Sequence, residues 1–271
     1  MFFDCQMGED ELTWYKVDWL FAECYMYRRI VGATAKTKYL KTFDFFREQK
    51  IEGFNSQYAR EQIRDGIRYM LAVAQKLTVQ QEKETLEVLL KAEAPIEGAR
   101  VLDSFILCND LGLAIESFFL KMQDKGHRRE FHIVLDNAGP ELMGELIFAE
   151  YLLQTNLAEK VVLHGKEYPY FVSDVTKEDF EWTLNELNNL GDVFRTMYEK
   201  LSARVNTNQL VFRDHRFWTY PQPYCEMRNV APDLYSELSM ASLIMFKGDL
   251  NYRKLVADRD WAYDTPFKVR R

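Results

Sequence analysis

Apolar positions recur at helical spacing through the first third of the chain. In DWLFAECYMYRRIV, residues 18–31, Leu20, Cys24, Tyr27 and Val31 fall on one stripe. The three-to-four-residue interval is that of a helix face packed on a core. QYAREQIRDGIRYMLAVAQKL repeats the pattern with Ile63, Ile67, Met70, Leu71 and Ala74. A third segment, Val79 to Leu90, follows Thr78, whose hydroxyl suits a helix N-cap. Arg28 and Arg29 are expected to close the first helix, where cations meet the negative end of its dipole. A sharper alternative turns them toward a phosphate. No strand signal precedes about residue 100, so residues 1–97 are expected to form a helical N-terminal region, ended by the break at EAPIEG, residues 93–98.

The texture then changes to short apolar runs between amphipathic segments. IVL (133–135) is followed by a helix from about Pro140 to Leu153, and VVLH (161–164) follows that helix. YFVS (170–173) reads as a further strand, before a helix opened by Thr176 with Asp179 three residues on, a capping box. LVF (210–212) and LIMF (243–246) complete the strand candidates. Alternating strands and helices predict an α/β layer fold over residues 98–271 with a largely parallel central sheet.

Composition narrows the function classes. The 271 residues are 47% apolar and 14% aromatic, enough for a sizeable packed core and against disorder. The net charge of −7 gives no general attraction for nucleic acid. Cys5, Cys24, Cys108 and Cys225 are scattered without a CxxC pair, which points to a reducing compartment. The acidic start MFFDCQMGED is unlike a secretory leader, and no apolar run approaches a membrane span. The expectation is a cytoplasmic or nuclear protein.

The candidate chemistry stands at the strand ends, where open α/β sheets bind ligands. Asp136 and Asn137 follow IVL, Asp174 follows YFVS, and Gly248, Asp249, Asn251, Arg253 and Lys254 follow LIMFK. A helix starting near Pro140 would aim its N–H groups at the same place. Two Asp and one Asn suit a hard divalent cation such as Mg²⁺ or Mn²⁺. So few protein ligands leave positions for water and substrate oxygens. Asp136 is the favoured nucleophile or base, with metal-activated water the other candidate for attack. Arg253 is expected to meet a phosphate through its planar fork, with Lys254 turned to solvent. At any one of these positions alone an ordinary turn or cap is the blander explanation. His127, His132, His164 and His215 lack HxxxH spacing, and His132 reads as a sheet-face residue. FWTYPQPY (217–224) reads as an ordered loop. Glu145 and Glu150 are expected to be structural or solvent-facing, with Glu145 nearer the site.

The segments WLFAECYMYRRI, FHIVLDNAGPEL, FVSDVTKEDFEWTL, VAPDLYSEL and FKGDLNYRKL resemble the metal-dependent damage-control phosphatases. The closer resemblance is to the subfamily of sugar phosphate phosphatases also called acidic residue methyltransferase. It runs from about Trp14 to Phe267. It implies a helical N-terminal part and a Rossmann-like α/β/α sandwich. It also implies hydrolysis of small phosphorylated metabolites such as fructose 1-phosphate and fructose 6-phosphate, with Mn²⁺ or with Ni²⁺, Co²⁺ or Mg²⁺. Carried over by motif, Asp136, Asn137 and Asp174 are similar to the metal ligands. Glu141 matches a position assigned to S-adenosylmethionine, and Asp249, Leu250, Asn251, Tyr252 and Arg253 match the substrate-contact segment. The alternative from the same resemblance is an S-adenosylmethionine-dependent protein-glutamate carboxyl methyltransferase with a protein substrate. Only Gly139 and Gly144 in AGPELMG offer a Gly-rich loop for it. The family pattern also carries a Trp-Gly-Asn segment followed by Asp-Leu-Ser, where residues 89–104 here read LLKAEAPIEGARVLDS. It continues past KGDLNYRKL to an Arg-Thr-x-Lys signature whose Lys binds phosphate, and this chain ends at Arg271 without it. The expectation is therefore a truncated member, with a non-catalytic relative as the third reading.

Overall fold

The structure is a computed structural model that describes residues 13–74, 109–123 and 128–266. The helix expected at Val79–Leu90, the break at 93–98 and His127 lie outside these residues. Three helices come first: α1 (Trp19–Thr34), α2 (Arg47–Asn55) and α3 (Gln57–Val73). Ser56 alone separates the last two, and its hydroxyl caps α3 by accepting from Ala59 N at 3.2 Å. Leu20, Cys24 and Tyr27 of α1 are buried, as are Ile63, Ile67 and Met70 of α3, so both stripes face inward. Arg28 and Arg29 do not end α1, which runs on to Thr34. They stand mid-helix, Arg28 over the Tyr220 ring and Arg29 over that of Tyr25.

After α4 (Leu111–Gln123) the α/β layer begins. Its elements run β1 (Arg128–Val134), α5 (Pro140–Gln154), β2 (Lys160–Gly165), α6 (Lys177–Leu190), α7 (Asp192–Asn206) and β3 (Leu210–Asp214). Two short 3₁₀ turns, Arg216–Thr219 and Tyr224–Glu226, follow, then α8 (Met227–Val230), α9 (Pro232–Ser239), β4 (Ala241–Phe246) and α10 (Gly248–Leu255). The capping box forms as the sequence predicts: Thr176 Oγ1 accepts from Asp179 N while the Asp179 carboxylate accepts from Thr176 N.

The strand order is β3-β2-β1-β4, and every neighbouring pair is parallel. The chain steps outward from β1 to β3 and then crosses back to lay β4 on the other side of β1. The strand order therefore reverses between β1 and β4, and the carboxyl ends of these strands are where sheets of this kind bind ligands. One sheet face, with Phe131, Ile133, Val161 and Leu163, packs on α3 through α7. The other carries Val134 and Phe246 against Phe217, Trp218, Leu234 and Leu238. His132 lies on this second face, fully buried and stacked on His164 with ring centroids 5.1 Å apart.

The apolar run YFVS is not a strand. Tyr170 and Phe171 pack on Tyr27 of α1, at 5.3 and 5.1 Å between ring centroids. Phe171 and Val172 take left-handed backbone angles, φ +45° and +66°. A bulky or β-branched residue reaches that region only at a cost. The run is apolar because a helix covers it, and not because it joins the sheet. Among the described residues no helix is long and apolar enough to cross a membrane.

Candidate active site

The carboxyl edge of β1 and β4 gathers the residues that the strand ends supply. Lys247 N donates to Val134 O at 3.0 Å, and Val175 N donates to Asp136 O at 2.9 Å. Asn137 and Asp174 face each other across an antiparallel bridge. These backbone bonds bring Asp136, Asn137 and Asp174 to one edge although 36 residues separate Ser173 from Asn137, whose side chains also bond each other. Asn137 Nδ2 donates to Asp136 Oδ2 at 2.6 Å and to Glu141 Oε2 at 2.9 Å, while Ser173 Oγ donates to its Oδ1. The amide nitrogen thus draws two carboxylates together.

Gly248 fixes how closely Asp136 can be approached. A Cβ placed there would stand 2.1 Å from the Asp136 Cγ, and its φ is +83°. Only glycine meets both conditions without displacement. Two helices begin at this edge, α5 at Pro140 and α10 at Gly248, and their N-terminal amides favour an anion between them.

The electrostatics are those of acids held short of neutralisation. Burial first, then the charges of Asp174 and Glu141, push the Asp136 carboxyl from 3.8 up to about 7. Burial lifts Asp174 to about 6 even though Lys166 opposes it. Lys166 Nζ lies 3.1 Å from Asp174 Oδ2, outside hydrogen-bonding geometry, so that buried oxygen has a counter-charge and no aligned donor. Two strongly raised carboxyls, one with an orphaned oxygen, are a donor set that a hard divalent ion would satisfy. The set pairs two acids with an amide whose oxygen accepts from Ser173 here, so Asn137 would ligate an ion only with that oxygen turned to the acids. Among the described residues no three His, Cys, Asp or Glu side chains form a ready-made cage.

The remaining candidate residues separate into two faces of α10. Leu250, Asn251 and Lys254 turn inward and are buried. Asn251 accepts from the Tyr224 hydroxyl and donates to Lys247 O at 2.6 Å, which ties the β4–α10 turn. Asp249 and Tyr252 are exposed. Arg253 spends its fork on Asp258, at 3.0 and 2.8 Å, and lies 3.6 Å from Glu23. Lys254 does not point to solvent. Its ammonium donates to Phe217 O at 2.9 Å and lies over the Phe217 and Tyr224 rings. The angular step from Arg253 is as expected, but the side it leads to is the protein interior.

Glu141 and Glu145 both face Lys247, at 3.6 and 3.0 Å. Glu150 is fully buried in an ion pair with Arg204, away from this group. Three lysines escaped the sequence reading. Lys166 follows β2 and is a strand-end residue by the same rule that found the acids. Lys247 likewise ends β4. Lys50 comes from α2, and its Nζ donates to Asp174 O at 3.0 Å; no local signal marks it.

Comparison with known proteins completes the picture. A family model described as the damage-control phosphatase ARMT1-like domain matches residues 77–269. The chain is 36% identical to damage-control phosphatase ARMT1 of Rattus norvegicus, covering 96% of this chain and 64% of that protein. The same protein of Homo sapiens is 36% identical with the same coverage, and that of Xenopus laevis 37% identical over 94% of this chain and 64% of its own length. The chain thus spans about 64% of the length of these curated relatives. With a match over most of its length that takes in the carboxyl edge of β1 and β4 with Asp136, Glu141 and Asp174, the chain belongs to the family of ARMT1-like damage-control phosphatase domains.

Proposed function

We propose that the chain is a metal-dependent phosphatase of small phosphorylated metabolites, with sugar phosphates such as fructose 1-phosphate and fructose 6-phosphate as substrates. The observation that carries this reading is the crowding of Asp136 and Asp174 at the strand-order reversal, both held well above the usual carboxylate range. Asp136, Asn137 and Asp174 would hold the ion, with Mn²⁺ first and Ni²⁺, Co²⁺ and Mg²⁺ as alternatives. When bound, the ion supplies Lewis-acid polarisation of the phosphoryl group and neutralises the acids.

The protein's own groups do the rest. The first-turn amides of α5 and α10 receive phosphate oxygens at the carboxyl edge of β1 and β4. Asp136, which lies against Gly248, would attack phosphorus as the P–O bond to the sugar breaks and the sugar oxygen leaves with a proton, water then hydrolysing the aspartyl phosphate; or it would take a proton from the attacking water as that same bond breaks. Lys166, 1% exposed, holds the charge of Asp174 from below. Asp249, Tyr252 and Arg253 on the outer face of α10 would contact the substrate, Arg253 through its phosphate. Chelator-stripped protein is assayed for phosphate release from a sugar-phosphate panel with each metal added back, beside Asp136→Asn. Release that needs the metal and is lost in the variant supports the reading. Metal-independent methyl transfer from S-adenosylmethionine, without phosphate release, would replace it by the methyltransferase reading.

A further inference from the structure

We propose that Lys50 is the positioning residue for Asp174: from α2, outside the α/β layer, its buried ammonium clamps the strained loop that presents this acid. The inference rests on the phosphatase reading only for what Asp174 does.

An ammonium has three N–H donors. Those of Lys50 meet three acceptors: Asp44 Oδ2 at 3.1 Å, Asp179 Oδ2 at 2.7 Å and the main-chain carbonyl of Asp174 at 3.0 Å. The side chain is 4% exposed. With every donor engaged it has none for a ligand, so its action passes through the groups it holds. Two of these belong to the segment that carries the site. Asp174 is a candidate ligand, and Asp179 closes the capping box that starts α6 immediately after it.

The loop needs such a hold. Phe171 and Val172 are both left-handed, at φ +45° and +66°, and an unrestrained loop would relax away from that conformation. On its N-terminal side Tyr170 and Phe171 are pinned by the Tyr27 ring. In the middle Ala138 N donates to Ser173 O at 2.7 Å. On its C-terminal side the Asp174–Val175 peptide is held from both edges: its N–H donates to Asp136 O at 2.9 Å, and its carbonyl accepts from Lys50, which ties it to the helical segment. Relaxation would swing the Asp174 carboxylate, because it sits on the residue whose peptide Lys50 grips. The backbone of α2 is close enough to serve as a fixed post: a Cβ on Gly139, at the start of α5, would stand 3.6 Å from Phe54 N. The position of Lys50 is therefore set relative to both Asp136 and Asp174.

Lys50→Met keeps an unbranched apolar stem, one atom shorter, and removes all three bonds. It is compared with Asp44→Asn, which weakens the same ammonium's outer arm and leaves the arm to Asp174 in place. Three quantities are read on the full chain: Mn²⁺ affinity by titration calorimetry, kcat and KM for phosphate release, and amide hydrogen exchange at residues 174–176. Lys50→Met is expected to weaken Mn²⁺ binding and lower kcat by at least about tenfold each, because sub-ångström to ångström displacement of a ligand is enough. Exchange at 174–176 should rise, and Lys50→Arg should recover part of each loss. Asp44→Asn is expected to leave affinity and kcat within about twofold of wild type. If Lys50→Met does not fold, Lys50→Gln, which keeps a donor for the carbonyl, replaces it and should show the same ordering more weakly. Equal effects of the Lys50 and Asp44 variants on Mn²⁺ affinity and kcat, matched for melting temperature, would overturn the proposal. Wild-type protein that binds no Mn²⁺ and releases no phosphate would instead refute the phosphatase reading. The exchange comparison would then still decide whether Lys50 clamps the loop.

Discussion

Gly248→Ala probes the site through one methyl group. The added Cβ would lie 2.1 Å from Asp136 Cγ and 2.2 and 2.4 Å from its two oxygens. Non-bonded carbon and oxygen atoms settle at about 3.5 Å, so something must retreat by about 1 Å. The Asp136 side chain cannot retreat freely, since Asn137 Nδ2 holds its Oδ2 at 2.6 Å. Alanine must also hold φ +83°, a left-handed region unfavourable by about 1–2 kcal/mol. Overpacking adds about 1–3 kcal/mol, for a total loss of roughly 2–5 kcal/mol of stability. A displacement of about 1 Å at a reacting group costs on the order of a hundredfold in rate. The assay is kcat/KM for phosphate release at 20 °C, with thermal unfolding recorded alongside. Gly144→Ala is the control, because a Cβ there meets nothing within 4 Å on the exposed side of α5. It should raise stability by about 0.5–1 kcal/mol and leave the rate unchanged. Wild-type kcat/KM and Mn²⁺ affinity in Gly248→Ala would refute the placement of Asp136 against this glycine.

Three further outcomes follow from the same geometry. Glu150 is fully buried against Arg204 and Lys200, so Glu150→Ala should cost roughly 2–4 kcal/mol by denaturant unfolding while Mn²⁺ affinity stays unchanged; a large loss of affinity would make Glu150 a site residue. Asp136 has its carboxyl raised from 3.8 to about 7, so the folded metal-free protein binds the extra proton, and stability falls as pH rises between those values. In chelator, the stability of wild type relative to Asp136→Asn should therefore decline from about pH 4 to pH 7 and level off above; a flat difference would remove the buried-acid assignment. Arg253→Ala should lower kcat/KM about tenfold or more with Mn²⁺ binding retained, whereas Asp258→Ala, which frees the same fork, should change it little. Equal losses in the two would reduce Arg253 to an ion pair.

How far the sequence spoke for the structure depended on whether a feature was local. β1 and β4 were legible because apolar runs stop at an acid or a glycine, and α5 because Gly-Pro marks its first turn. The capping box at Thr176 was legible because its two residues lie three apart. The apolar run at 170–173 was misleading because burial under α1 produces the same composition as burial in a sheet. Lys254 shows the limit of periodicity. Its angle around α10 follows from the spacing, but whether solvent or Phe217 waits there depends on the crossover between β3 and β4. Lys50 is the extreme case. It stands 124 residues from Asp174 on a helix with no marked apolar face, and only the tertiary fold makes them partners.

Equilibrium binding of Mn²⁺ to the chelator-stripped protein tests the central claim most directly, because it needs no substrate. Titration calorimetry on wild type, Asp136→Asn and Asp174→Asn, each checked for folding by thermal unfolding, should show one ion per wild-type chain. Each variant should bind at least about a hundredfold more weakly, since each replaces a charged ligand by a neutral one. Equal affinity in all three proteins would contradict the assignment of Asp136 and Asp174 as the acids that hold the metal.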